Sequence, residues 1–353
     1  MRPRGLAPEP RPGGGTGSGP VPGSVLVTGA DGRLGANLLQ RLEHDASRPL
    51  PRGMGALPAT EPALAALLTG VETVVHLAPT RDPAAPEATR RREVACTGAL
   101  LEAARAAEVR RVVLTTSTDV HRAAPGQVPL PESAPVAAPA DGSLSGDWVE
   151  VERLAGHARR TGLDVVVLRP AALCGVEPEQ TGTLLRALRA PRLLAVRGVE
   201  PLWQLCHADD LAAALVLAAR GAVTGACAVS SEGWLRQEEV ERRSGRRRLE
   251  LPAAVALSTA ERLSRLRVTP GSPGELDALL APVVVEPARL RAAGWAPAWT
   301  AEAALEEHLR TLPAPSGPSG DRAAAYAAGT AGATAALVGT AALVRRARRR
   351  RRR

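Results

Sequence analysis

The stretch Ser24–Leu42, SVLVTGADGRLGANLLQRL, constrains the fold more than any other part of the chain. Val25–Val27 form an apolar run that predicts a buried strand. Arg33–His44 carries apolar residues at three- and four-residue spacing, which predicts an amphipathic helix. The turn between them, Thr28–Gly35, spaces Gly29, Gly32 and Gly35 as G-x-x-G-x-x-G. The first glycine permits a tight turn, the second lets backbone approach a bound group, and the third brings helix and strand close together. The helix N-terminus then offers free N–H groups and a partial positive charge, a combination that suits phosphate.

The same alternation continues along the chain. Residues 24–28, 73–78, 111–116 and 164–170 are nearly continuous Val/Leu runs, as expected of strands buried on both faces. Helical spacing recurs at Arg91–Ala107, Asp209–Arg220 and Ala301–Thr311, with a further strand at Ala226–Ser230. Strands alternating with helices predict an α/β fold, a Rossmann-like doubly wound parallel sheet over residues 24–312, with a smaller C-terminal substrate-binding part in 171–312. Between Gly35 and Val74 the segment EHDASRPLPRGMGALP holds three prolines and predicts no strand.

A strand–turn–helix frame on both sides of the glycines marks a dinucleotide site. TGADGRLG resembles the TGxxGxxG loop of extended short-chain dehydrogenases/reductases, the NAD-dependent epimerase/dehydratase family. Four further segments resemble that family in order: VVHLA (74–78), EVACTGALLEAARAAEVRRVVLTTSTDVH (93–121), LDVVVLRPAALCG (163–175) and LWQLCHADDLAAALVLA (202–218). The resemblance implies NAD or NADP as cofactor, without distinguishing them, and a small-molecule substrate of unknown identity. Gly29, Gly32 and Gly35 would hold the pyrophosphate, with Ala30, Arg33 and Leu34 between them. Leu77 and Ala78 would line the cofactor path, and Pro170 would approach the nicotinamide. Ser117 falls where the family places a catalytic Ser or Thr, and His121 replaces the usual Tyr of a Val-Tyr pair. His207 and Asp210 match a segment that shapes the substrate half; the alternative for them is a helix start with Asp caps.

The resemblance fails at the chemistry. Family enzymes use a Tyr whose pKa is lowered by a Lys four residues on, because an ammonium favours phenolate. Here that segment aligns with Leu144–Trp148, LSGDW; the chain has no Lys and its single Tyr is Tyr326. Ser117, Asp119 and His121 are the remaining candidates. In an extended stretch residues two apart share a side, so the three would converge; the alternative is ordinary polar residues on a loop. Two functions follow, an atypical oxidoreductase or epimerase and a non-catalytic dinucleotide sensor. Arg33 would attract a 2′-phosphate, or is simply a solvated surface charge.

Net charge is +9, but the last nine residues hold eight arginines, and without them the chain carries only +1. With 2% aromatic residues the body offers no base-stacking surface. Four dispersed cysteines form no zinc-ligand pattern and suit a reducing compartment. Residues 1–23 form a Pro/Gly-rich leader without the apolar run of a signal peptide, so a cytoplasmic location is expected. Residues 313–353 comprise a linker, an Ala-rich segment (323–344) and the basic tail. Arg345–Arg353 is expected to touch anionic membrane surface or nucleic acid, or else to be a solvated tail.

Overall fold

A computed structural model describes residues 23–44, 51–58, 60–77, 85–121, 128–136, 143–190, 192–198, 200–252 and 283–312. Ala78, most of the leader and all of 313–353 lie outside the described residues. The central sheet has six parallel strands: β1 (Val25–Thr28), β2 (Arg52–Met54), β3 (Thr73–His76), β4 (Arg111–Thr115), β5 (Asp164–Pro170) and, later in the chain, Ala226–Val229. Their spatial order is β2-β1-β3-β4-β5, followed by Ala226–Val229. The order reverses between β1 and β3, and a crevice opens there beyond the strand ends.

Alternation along each strand decides which helices cover which face. Val25 and Val27 of β1, Val75 of β3, Val113 of β4 and Val166 and Leu168 of β5 share one apolar core. Leu34, Leu38 and Leu42 of α1 (Arg33–Glu43) pack on it, as do Leu211 and Leu215 of the helix Ala208–Ala219. The intervening residues Leu26, Val74, Val112, Leu114, Val165 and Val167 face the opposite way. They meet α2 (Glu61–Leu68), α3 (Glu87–Ala106) and α4 (Leu144–Arg160). The sheet is therefore wound on both faces, as the buried Val/Leu runs predict.

The 35–74 segment differs from the sequence expectation. Arg52–Met54 pairs with β1 in parallel register, Leu26 opposite Arg52 and Thr28 opposite Met54. It is an edge strand, so only one side must bond and Pro51 just before it does no harm. Gly53 hides it from a propensity reading, yet a Cβ there would come within 2.5 Å of Leu39 Cδ1. The bare glycine lets the Leu39 side chain of α1 lie against the strand.

Past β5, shorter elements build the second half: β6 (Ala172–Cys174) pairs in parallel with Leu205–His207, and Arg192–Val196 pairs with Arg247–Leu251. Leu185, Leu193, Trp203, Leu205, Leu235 and Leu305 form its own apolar cluster. Among the described residues no helix is long and apolar enough to cross a membrane.

Candidate functional site

The glycine loop leaves β1 at the reversal point of the sheet. Gly29 has φ +70°, and a Cβ on it would lie 2.7 Å from the Leu77 carbonyl oxygen at the end of β3. Gly29 and Ala30 donate their backbone N–H groups to Gly55 and Met54 at 2.9 and 2.8 Å, which clamps the loop to β2. Gly32 caps α1 at φ +110° with no side-chain cap of its own. A Cβ on Gly35 would collide with the Ala30 carbonyl, so the third glycine is a packing requirement. Beside the loop runs a cleft of about 430 Å³ lined by Gly29, Leu34, Gly35, His76, Leu77 and Arg92, among others. Of the cofactor residues implied by resemblance, Leu77 is on that wall and Arg33 projects into solvent. Pro170 is buried at the end of β5, beside Ala171. A loop in which Cβ atoms on Gly29 and Gly35 would strike backbone, opening on this cleft, fits a dinucleotide pyrophosphate.

His76 lies buried beneath this cleft. Its Nδ1 is 2.7 Å from Thr28 Oγ1 and its Nε2 is 3.2 Å from Thr97 Oγ1. The Thr97 hydroxyl already donates to the Glu93 carbonyl at 3.0 Å, so Nε2 carries the proton and Thr28 donates to Nδ1. Burial pushes the imidazole pKa from 6.5 to about 4. Between those values the unfolded chain binds a proton that the folded chain refuses, so stability is full above pH 6.5 and falls as pH drops toward 4. His76→Gln is expected to shrink the stability difference between pH 7 and pH 5, read by urea unfolding, by about 2 kcal/mol. Asp147 and Asp210, whose carboxyls burial pushes upward, act in the opposite sense and cancel in the comparison with wild type. An unchanged pH dependence would remove His76 from the account.

A second, small cavity of about 30 Å³, room for no more than a few waters, is lined by Ser117, Asp119, Trp148, Gln180 and Gln204. Ser117 and Asp119 meet there; His121 does not line it. Thr118–Val120 winds into a 3-10 turn with Ser117 Oγ accepting from the Asp119 N–H at 3.1 Å. The stretch is therefore not extended, and two-residue spacing no longer puts the three side chains on one side. His121 instead is fully buried, its Nδ1 3.3 Å from the Pro135 carbonyl and its Nε2 3.1 Å from Arg169 Nη1. Burial, followed by the Arg169 charge, holds its pKa below the ordinary value. Its Nε2 is turned to a guanidinium rather than to the cavity.

Leu144 and Trp148 occupy one face of the first turns of α4, four residues apart, and pack with Val120 into a buried apolar cluster. Ser143 starts this helix by accepting from the Gly146 N–H at 3.0 Å. Trp148 stands between the Ser117 cavity and another of about 30 Å³ lined by His76, Arg90 and Asp147. His207 and Asp210 hold the start of Ala208–Ala219, but the cap is the histidine: its Nδ1 accepts from the Asp209 N–H at 3.2 Å. Asp210 accepts from the Ala298 N–H and the Ser231 hydroxyl at 2.7 and 3.1 Å.

Glu177 is the residue that sequence reasoning passed over. It follows β6, yet its Oε1 accepts from the Arg33 backbone N–H at 2.8 Å, across 144 residues. Gln180, three residues on, lines both the dinucleotide cleft and the Ser117 cavity. No periodicity or motif marks either one.

A family model described as the NAD dependent epimerase/dehydratase family matches residues 25–227. Among curated proteins, "Uncharacterized protein Rv0501" of Mycobacterium tuberculosis (strain H37Rv) is 28% identical, covering 82% of this chain and 84% of its own. The crystal structure of gox2253 is similar with a TM-score of 0.62 at 18% identity, over 82% of this chain and 97% of that one. UDP-glucose 4-epimerase of Thermus thermophilus, solved in complex with NAD, gives 0.58 at 17% identity, over 82% and 100%.

Proposed function

Since the chain belongs to the NAD-dependent epimerase/dehydratase family, we propose that it binds NAD or NADP beside the glycine loop and answers to that dinucleotide without the family's Tyr–Lys proton transfer. One observation carries this reading. The positions aligned with Tyr and Lys are Leu144 and Trp148, buried together with Val120, so no phenol or ammonium borders Ser117 there. The glycine loop and the 430 Å³ cleft beside it, by contrast, keep the spacing and the space that a dinucleotide takes. The chain is thus a dinucleotide-binding module. The Arg345–Arg353 segment, in the same reading, contacts anionic membrane surface or nucleic acid at low ionic strength.

Calorimetric titration of the full chain with NAD and with NADP is the test. Saturable binding of one of them, raising unfolding stability by about 2.7 kcal/mol at a hundredfold excess over Kd, is the expected result. Absence of heat and of stabilisation with both, in wild type and in a Glu177→Ala chain whose Arg33 N–H is freed, would end the reading. The second reading, an atypical oxidoreductase or epimerase, rests on Ser117 and Asp119 sharing one cavity. There Ser117 orients a hydroxyl or carbonyl, and Asp119 or a bound water moves the proton. Turnover with bound dinucleotide that Asp119→Asn abolishes would favour it over the first.

A further inference from the structure

The Glu177 carboxylate lies where an anionic ligand of the glycine loop must lie. Its Oε1 takes the Arg33 N–H at 2.8 Å, one of the free N–H groups at the start of α1. Its Oε2 lies 2.9 Å from the point where a Cβ on Gly32 would stand, so the carboxylate covers the bare face of the middle glycine. That face and that N–H are the features by which such a loop approaches a pyrophosphate. α1 has no acidic residue in its own first turn and no side-chain cap, so Glu177 is the anion that its N-terminal charge attracts.

We propose that Glu177 is an internal competitor for the dinucleotide, a built-in anion that the pyrophosphate must displace. This rests on the dinucleotide-binding reading above and adds a regulatory contact to it. Two anions cannot share one N–H and one glycine face: each needs the same donor, and at this separation they repel. The contact is also made to be given up. Oε2 is buried with no hydrogen-bond partner among the described residues, so a single hydrogen bond through Oε1 holds a half-satisfied carboxylate.

Displacement is felt beyond the loop. Glu177 precedes the 3-10 turn Pro178–Gln180, and the Gln180 N–H donates to the Glu177 carbonyl at 2.9 Å. Gln180 in turn lines both the dinucleotide cleft and the Ser117 cavity. A pyrophosphate that ejects the carboxylate pulls on this turn and reshapes the wall of the cavity next door. Occupancy of one site is thereby reported to the other through five residues, Glu177–Thr181.

The test compares wild type, Glu177→Gln and Glu177→Ala as full chains, with NAD, NADP and inorganic pyrophosphate as probes. Calorimetry reads affinity and hydrogen exchange reads the amides of Gly175–Thr181. Both variants are expected to bind the dinucleotide about three- to thirtyfold more tightly than wild type. Pyrophosphate alone is expected to follow the same order. In wild type, ligand should speed exchange in Gly175–Thr181; in Glu177→Ala, exchange there should be fast from the start. Binding by the variants when wild type shows none would be the strongest support. Equal or weaker binding by folded variants, with wild type binding, overturns the competitor and leaves the dinucleotide reading standing. If no protein binds any probe, both fall together.

Discussion

Glu152→Ala is expected to lower the unfolding free energy by about 3–5 kcal/mol, the range for breaking a buried ion pair from one side. Glu152 of α4 accepts from Arg169 Nε at 2.8 Å and is paired again through Nη2, with the two side chains only 9% and 7% exposed. Thr116 Oγ1 donates to the same carboxylate at 3.0 Å. Removing it leaves the Arg169 guanidinium buried with no counter-charge, and burial of an unpaired charge is the dominant cost. Urea unfolding at neutral pH measures the change. The consequence for the site is direct, because Arg169 also holds His121 at 3.1 Å and the Glu132 carbonyl at 3.3 Å. The variant should loosen the 117–121 turn that carries Ser117 and Asp119. Glu152→Ala/Arg169→Met should recover part of the loss, since an apolar pair of similar volume removes the orphaned charge. A loss below about 1 kcal/mol in the single variant would mean that water reaches Arg169 and that the network does not anchor the turn.

Trp148→Ala is expected to cost about 3–5 kcal/mol, the range for deleting a large buried aromatic. Trp148 is 7% exposed, packs with Leu144 and Val120, and walls off the Ser117 cavity from the one beside His76. The loss joins the two spaces, and neighbours anchored on α4 and β4 cannot close over them. Dinucleotide affinity, measured beside stability, should survive, because the glycine cradle lies on other elements. Loss of binding with stability unchanged would instead place Trp148 on the ligand, and would overturn its role as a plug between the two cavities.

These two residues show how far sequence reached. The absence of Lys, and a lone Tyr326 far from the motif, are legible in the sequence alone. Only packing revealed that Leu144 and Trp148 join Val120 in a buried apolar cluster. The strands at 25–28, 73–76, 111–115 and 164–170 were legible because burial on both faces demands unbroken apolar runs. β2 was not, because an edge strand of three residues bonds on one side only and its central Gly53 carries no strand propensity. The Ser117–Asp119–His121 convergence failed for a related reason. Spacing of two implies a shared side only in extended backbone, and one side-chain bond from Ser117 to the Asp119 N–H accompanies a turn there.

By itself the sequence determined the parts whose physics is local: a strand, three glycines at fixed spacing, a helix start that attracts anions, and a family without its proton-transfer pair. Tertiary structure decided what those parts meet. It turned His121 toward Arg169, made His207 rather than an aspartate the cap of its helix, and brought Glu177 onto Arg33 from 144 residues away. Periodicity and propensity act over a few residues, whereas a side chain's electrostatic partners are set by which loops close in space. The glycine cradle could therefore be recognised in one dimension, and the carboxylate that sits in it could not.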